Sequence, residues 1–124
     1  MPTVRTSSEG TAIEKIGAYL TRQRDVLRGC RIGRLAADPD IIAATDLREP
    51  LVGTFRWLEG ELTSLIEDGQ ATGEFGAQLD PVTVAAAIVA TVQGGYVLAR
   101  AAADPEQFDH AISGLMTLLK GNAA

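Results

Sequence analysis

The stretch from Pro81 to Ala99 contains no charged side chain, and this run constrains the fold more than any other part of the chain. Asp80 is a good N-cap and Pro81 suits the first helical position, so a helix is predicted to begin here. Small residues recur at every fourth position, at Ala87, Thr91, Gly95 and Ala99. Such a row lets a neighbouring helix approach closely. Because a surface helix needs a polar face, this helix is predicted to be buried on most sides.

A membrane span is the alternative interpretation of the same run, which is about long enough to cross a bilayer. However, the run is rich in Ala, Thr and Gly, contains Gln93, and has no flanking Lys/Arg cluster or aromatic belt. We therefore predict no membrane contact, and instead a helix enclosed between its own domain and a second copy of the chain.

Composition indicates one soluble globular domain, since 46% of the 124 residues are hydrophobic and 22% are charged. The formal net charge of −5 makes the chain a poor candidate for holding nucleic acid by itself. A single cysteine, Cys30, excludes an internal disulfide and fits a reducing compartment. No secretory signal is visible, so a cytoplasmic protein is expected.

Helical patterns predict an all-α domain of about five helices at residues 11–120, after a disordered tail at residues 1–10. Thr11 and Glu14 match a capping box that begins the first helix, and Gly29 is expected to end it. A short second helix is predicted at residues 31–37, and residues 41–45 are compatible with one further turn. No stretch alternates with a period of two, so no sheet is expected.

Two further long helices flank the charge-free one. Asp46 and Glu49 resemble a second capping box, and the helix that they begin is expected to run to Ala71, with Pro50 in its first turn. Its apolar residues recur at three- and four-residue spacing, at Leu51, Phe55, Leu58, Leu62 and Leu65. Asp104 and Pro105 end the charge-free helix and begin the last one, which Gly121 is expected to end.

The last helix has a wide apolar face. One domain of this size would leave much of that face and of the charge-free helix in water, and monomers rarely expose such large apolar patches. We predict a homodimer in which the last two helices of both copies form a four-helix bundle with an isologous interface. Its predicted contact residues are Ala87, Thr91, Gly95, Leu98, Phe108, Ile112, Leu115, Met116 and Leu119.

Two short segments carry a resemblance to a known family. They are Gly29-Cys-Arg-Ile-Gly-Arg-Leu-Ala36 and Val92-Gln-Gly-Gly-Tyr-Val-Leu-Ala-Arg100. Because the two segments occur in this order and at this spacing within an all-helical pattern, the chain resembles the C-terminal, ligand-binding and dimerising half of TetR-type transcriptional regulators. The resemblance covers about residues 12–119. The resemblance implies a sensor and dimerisation module of a repressor. Family members begin with a helix-turn-helix domain, and the ten residues before Thr11 are too few for one, so no DNA contact is assigned to this chain.

The predicted ligand-binding residues lie on the first, third and fourth of the five helices. Gln93 and Tyr96 are three apart and face one side of their helix, and a buried Gln or Tyr needs hydrogen-bond partners. An apolar cavity with a few polar groups is typical of small-molecule sites. The predicted set is Tyr19, Phe55, Trp57, Leu58, Leu62, Gln93 and Tyr96. The alternative, that these side chains simply fill the core or the dimer interface, stays open.

No constellation typical of catalysis or metal binding stands out, so no enzymatic activity, metal or cofactor is predicted. His110 is the only histidine, and Cys30 has no histidine partner for a nucleophilic pair. Arginines cluster after the first helix, at Arg22, Arg24, Arg28, Arg31 and Arg34. This cluster fits a solvated face, or else a surface that meets a DNA-binding domain or an anionic ligand.

These observations favour effector sensing as the function. A small, mostly apolar ligand would bind inside the domain and, in a full-length regulator, move the DNA-binding heads. The alternative is a pure dimerisation module, or a truncated regulator that sequesters full-length partners without sensing a ligand.

Overall fold

The computed structural model describes residues 10–22 and 24–121, which form six helices and no strand. The helices are α1 (Ala12–Thr21), α2 (Arg31–Ala36), α3 (Pro39–Ala43), α4 (Thr45–Ala71), α5 (Pro81–Ala102) and α6 (Glu106–Lys120). The predicted all-α class is confirmed. The additional helix, α3, overlaps residues 41–45, for which one further turn was compatible with the sequence, but begins two residues earlier and ends at Ala43. The predicted disordered tail lies outside the described residues except for Gly10.

The core is built around α5, which packs against α4 on one side and against α6 on the other, while α1 covers α4 and α6. Its most completely buried large side chains come from three helices: Ile16 and Leu20 of α1, Leu62, Leu65 and Ile66 of α4, and Ile88 of α5. The short helices α2 and α3 contribute no fully buried residue. They therefore lie on the outside of the core.

The predicted capping box of α1 is present, but the helix ends at Thr21 rather than at Gly29. Arg24 folds back and donates a hydrogen bond from Nη2 to the carbonyl oxygen of Tyr19 at 2.6 Å, which satisfies one of the last helical acceptors. Gly29 instead ends the following turn with a φ of +78°, a conformation that favours glycine. Leu27, which a helix continuing to Gly29 would have included, lies beyond the end of α1 and is exposed.

The start of α4 also differs from the prediction. The helix begins at Thr45, and its N-cap Ala44 makes no side-chain capping bond, so the capping box expected from Asp46 and Glu49 does not set the start. Ala44 is at once the C-cap of α3 and the N-cap of α4. The end of α3 therefore fixes where α4 begins, and Pro50 lies further inside the helix than expected.

In one copy of the chain, less than half of the charge-free helix is buried. Val82 is 64% exposed and Leu98 is 55% exposed. By length and composition alone, Pro81–Ala102 would pass for a membrane span. Its other side, however, forms the centre of the core, with Ala85, Ile88 and Ala99 fully buried. A long apolar face on α5 thus remains uncovered in a single copy.

Glu74, in the connection between α4 and α5, ties that connection to the start of α1. Its carboxylate accepts hydrogen bonds from the backbone N–H groups of Ala12 and Ile13, each at 3.1 Å, and from the Thr72 hydroxyl at 3.0 Å. Partial burial by itself would raise the pKa of Glu74, but these hydrogen bonds outweigh it and hold the pKa below its ordinary value of 4.5. The charged carboxylate also faces the positive end of α1.

Replacing Glu74 by glutamine is expected to lower the free energy of unfolding by about 1 kcal/mol at neutral pH, because two helix N–H groups lose a charged acceptor. Since the folded-state pKa is depressed, the contribution is complete above about pH 4.5 and is lost as the pH falls through the lower folded value. The difference between Glu74→Gln and wild type in urea unfolding should therefore shrink on acidification. Glu67→Gln, at an exposed position of α4, is the control; an equal loss there would contradict this role for Glu74.

Candidate functional site

A cleft lies between α1, α2, α4 and α5, and it has two chambers. The deep chamber, about 60 Å³, is lined by Tyr19, Arg22, Cys30, Ile32, Thr54, Phe55, Leu58, Val92, Gln93 and Tyr96. The open chamber, about 290 Å³, is lined by Cys30, Gly33, Arg34, Ala36, Ala37, Phe55, Gln93, Gly94, Tyr96, Val97 and Arg100. The four residues common to both are Cys30, Phe55, Gln93 and Tyr96. These side chains therefore separate the two chambers.

The segment around α2 lies against α5 across this cleft at two glycines, Gly29 and Gly33. A β carbon at Gly33 would overlap the side-chain amide of Gln93, so the absence of a side chain is what makes room for that amide. At Gly29, a β carbon would lie 3.5 Å from Cδ of Arg100 and 3.8 Å from Cβ of Tyr96. The sulfur of Cys30 accepts a hydrogen bond from the Gly33 N–H at 3.4 Å, which caps α2. The backbone around α2 thus packs directly against side chains of α5.

Behind the deep chamber, the guanidinium of Arg24 is held by aromatic rings. Its carbon Cζ lies 5.5 Å from the ring centre of Tyr19, 6.0 Å from that of Tyr96 and 5.3 Å from that of Phe108. Tyr96 and Phe108 themselves stack with centroids 4.8 Å apart. Within the described residues, Nε and Nη1 of Arg24 are buried without a hydrogen-bond partner. Cation–π attraction therefore supplies part of what holds this charge in place.

Tyr19 remains a neutral phenol over a wide pH range. Burial raises its pKa above the ordinary value of 10.0, and the neighbouring Arg24 and Arg22 only partly oppose that rise. The Cζ of Arg22 lies 5.3 Å from the Tyr19 ring centre. At neutral pH the cleft therefore presents the Tyr19 hydroxyl and the Gln93 amide as polar groups on a largely apolar lining.

A larger groove, about 480 Å³, lies on another side of the domain between residues 20–26 and α6. It is lined by Leu20, Thr21, Arg22, Arg24, Val26, Pro105, Phe108, Asp109, Ile112 and Ser113. This groove is more open and carries more polar surface than the deep chamber. It therefore offers less apolar enclosure to a small molecule.

The uncovered apolar surface of α5 continues onto α6 as two parallel rows, which we call the α5–α6 seam. Both rows advance in steps of four, three and four residues: Ala87, Thr91, Gly94 and Leu98 on α5, and Gln107, Ala111, Gly114 and Leu118 on α6. A β carbon at Gly94 or Gly114 would meet none of the described atoms within 4 Å. This spacing is typical of a helix face that packs against other helices in a bundle.

A comparison with known protein families shows to which family the chain belongs. The model for the tetracyclin repressor-like C-terminal domain matches residues 11–115. The chain belongs to this family. No curated protein matches it.

Two solved structures of TetR regulators share the fold. A TetR transcriptional regulator from Chloroflexus aurantiacus J-10-FL is 25% identical, with a TM-score of 0.82 over 93% of this chain and 61% of that chain. A TetR-family transcriptional regulator from Cytophaga hutchinsonii is 20% identical, with a TM-score of 0.82 over 98% of this chain and 62% of that chain. This TetR-type domain therefore spans about three fifths of the length of either structure.

In this TetR-type domain, the cleft brings together most of the predicted ligand-binding residues: Tyr19, Phe55, Leu58, Gln93 and Tyr96. Leu62 lies instead in the core, with no exposed surface. Trp57 is 39% exposed and lines neither chamber. It lies about 200° around α4 from Phe55, so the two side chains face different surroundings.

Sequence reasoning missed several lining residues, among them Gly33, Thr54 and Arg100. The sequence signal that could have pointed to these residues was the family resemblance. Gly29 and Gly33 come from one of the two resembling segments, and Gln93, Tyr96 and Arg100 come from the other. The structure places these segments face to face as opposite walls of the cleft.

The predicted dimer residues divide into two groups. Gly95, Phe108, Ile112, Leu115 and Leu119 are buried within a single copy, where α6 packs on α5, and Met116 is half-buried against Gly17 of α1. Their side chains are thus already used by the chain's own core. Ala87, Thr91 and Leu98 lie on the α5–α6 seam.

The other chemistry-bearing residues do not form a second site. Within residues 10–22 and 24–121, no group of three or more His, Cys, Asp or Glu residues lies close enough to hold a metal ion. His110 is exposed on α6. Of the clustered arginines, Arg22 and Arg34 line the cleft, Arg24 lies behind it, and Arg28 and Arg31 are exposed outside it.

Proposed function

We propose that this chain is the effector-sensing and dimerising part of a cytoplasmic TetR-type repressor, and that it binds a small, mostly apolar molecule in the cleft. The observation that carries the proposal is the convergence of Tyr19, Phe55, Gln93 and Tyr96, from three helices, on one apolar cavity. A largely apolar lining with a few polar groups is the usual composition of small-molecule sites. The role is binding, and we assign no reaction and no cofactor to it.

Ligand entry would have to change the shape of the cleft. The deep chamber holds about 60 Å³, far less than the roughly 300–1,000 Å³ of ordinary ligand sites. A larger molecule that reaches from the open chamber into the deep one must therefore displace the side chains between them, such as Gln93 and Phe55. The wall that yields most readily is α2, because it has no fully buried residue, whereas α4 and α5 are anchored in the core.

Movement of α2 is therefore the proposed output of the sensor. A ligand shifts a conformational equilibrium only to the extent that it binds one state better than the other. In this account the ligand prefers the state with α2 displaced, and the rest of the regulator responds to that state. We assign no direct DNA contact to this acidic chain.

The second part of the proposal is a homodimer formed through the α5–α6 seam. Two copies related by a twofold axis would bring four helices together and cover the apolar surface that one copy leaves exposed. This seam also favours the alternative function, a dimerisation module without a ligand. The cleft experiment that follows separates the two.

Gly33→Ala is expected to alter ligand affinity at least about fivefold without unfolding the domain. The added methyl group forces the flexible Gln93 amide out of its place between the two chambers. A thermal-shift screen of neutral apolar compounds on wild type supplies the ligand, because a bound molecule raises the melting temperature by mass action. Calorimetry then compares the variants. Gly53→Ala is the matched control, since a β carbon there meets no described atom within 4 Å.

Equal affinity of both variants for every compound found would place binding outside the cleft. If neither this screen nor charged amphipathic compounds gave a molecule that binds the wild type, the dimerisation module would be the better account.

A further inference from the structure

We propose that the effector is an organic anion, whose carboxylate is held by Arg34 and Arg100 while its apolar body lies against Phe55 and Tyr96. This inference rests on the proposed function, because it specifies the chemistry of the molecule that the cleft binds. It follows from the charge, the pairing and the position of the groups that line the open chamber.

The first step is the charge of the lining. The charged residues that line the two chambers are Arg34 and Arg100 in the open chamber and Arg22 in the deep one, and no Asp or Glu lines either. The chain as a whole is acidic, with 16 Asp and Glu against 11 Lys and Arg. The charged residues of the lining are thus all cationic, which is opposite in sign to the net charge of the chain. The lining therefore attracts an anion.

The second step is that these arginines are free to take a ligand. No carboxylate of the described residues forms a salt bridge or hydrogen bond with Arg34 or Arg100. Both are exposed, whereas Tyr96 on the same chamber is 8% exposed. The cationic groups thus lie at the solvent end of the chamber and the aromatic groups at its inner end. An amphipathic acid matches this arrangement, because its carboxylate would meet the arginines and its apolar tail would meet the aromatic rings.

The third step is the positioning of Arg100. Its aliphatic stem crosses Gly29, where a β carbon would lie 3.5 Å from Cδ. Gly29 has a φ of +78°, so glycine is favoured there for conformational reasons, and the stem of Arg100 packs against it at van der Waals distance. A guanidinium presents a planar fork of donors that matches a carboxylate, which makes arginine the side chain suited to this recognition.

The test compares matched acids and amides. The probes are octanoate with octanamide and 2-naphthoate with 2-naphthamide, and octylammonium serves as the probe of opposite charge. Dissociation constants are measured by calorimetry on wild type, Arg34→Gln, Arg100→Gln and the control Arg48→Gln. Arg48 is exposed on α4 and lines neither chamber, so its variant changes net charge by the same amount without touching the cleft.

We expect each acid to bind about tenfold tighter than its amide, and octylammonium to bind more weakly than either. Arg34→Gln and Arg100→Gln should each remove most of that preference, while Arg48→Gln should leave it unchanged. If amides bind as tightly as acids, the anion inference is overturned and the sensing function stands. Equal losses in all three variants would mean a general charge effect and would also overturn it. Failure of every probe, together with failure of the neutral compound screen, would overturn the proposed function as well.

Discussion

Gly95→Leu is expected to lower the free energy of unfolding of the single protomer by about 2 kcal/mol. A β carbon at Gly95 would lie 2.9 Å from Cδ2 of Phe108, which is closer than real contacts of this kind. The Phe108 ring is 3% exposed and stacked on Tyr96, so turning it aside would break that stacking contact. Overpacking of a core typically costs about 1–3 kcal/mol or more, which exceeds the roughly 1 kcal/mol gained by removing a glycine from a helix.

Urea unfolding at low protein concentration measures this effect, with Gly60→Leu as the matched control. Gly60 also lies inside a long helix, but a β carbon there meets no described atom within 4 Å. That control should be as stable as wild type or more so, because it gains helix propensity without a clash. Equal stability of the two leucine variants would show that α5 and α6 do not pack as closely as described.

Leu98→Glu is expected to weaken the homodimer at least about a hundredfold, which corresponds to roughly 3 kcal/mol. In one copy Leu98 is 55% exposed, so glutamate there costs the fold little. In the proposed dimer the same position lies on the α5–α6 seam, where a carboxylate would be buried without a partner. The twofold symmetry places this charge in both copies.

Sedimentation velocity over a range of concentrations reads out the dimer directly. Val82→Glu is the control, because Val82 is 64% exposed on the same helix but about 160° around it from Leu98. Wild type and Val82→Glu should sediment as dimers at concentrations where Leu98→Glu is monomeric. A monomeric wild type, or an unchanged Leu98→Glu, would mean that the seam is not the interface.

Local rules predicted the fold well where the deciding contacts lie close in sequence. The capping box of α1, the start of α5 after Asp80 and the end of α4 at Ala71 all depend on neighbouring residues, and all are confirmed. The end of α1 was missed because it depends on Arg24, whose guanidinium contacts Tyr96 and Phe108. Those rings lie more than seventy residues further along the chain.

The division of the predicted dimer residues between the core and the α5–α6 seam shows a second limit of prediction from sequence. The apolar pattern of α6 led us to assign Phe108, Ile112, Leu115 and Leu119 to the dimer interface, but these residues are buried within one copy. A pattern does not say against which helix a face packs. The large apolar residues of α6 are already buried in the core of a single copy. The weaker rows of small residues that remain were the better signal for a partner, because only they stay exposed.

The cleft was predicted in part because α5 brings Gln93 and Tyr96 to the same side as expected. The opposite wall depends on how α2 crosses α5, which no helical periodicity specifies. The contacts of Gly29 with Arg100 and of Gly33 with Gln93 join residues about sixty to seventy positions apart. A resemblance to a family pointed to both segments, but only the three-dimensional structure places them face to face.

The central claim is that an effector binds between α2 and α5, and ¹H–¹⁵N chemical-shift mapping tests it most directly. A compound that stabilises the wild type is titrated into labelled protein, and the backbone amides that shift are assigned. The account predicts the largest changes at Gly33, Thr54 and Gln93 around the cleft, with smaller changes along α2. Shifts confined to Val26, Asp109 and Ser113 in the larger groove, or to Ala87, Leu98 and Ala111 of the α5–α6 seam, would contradict it.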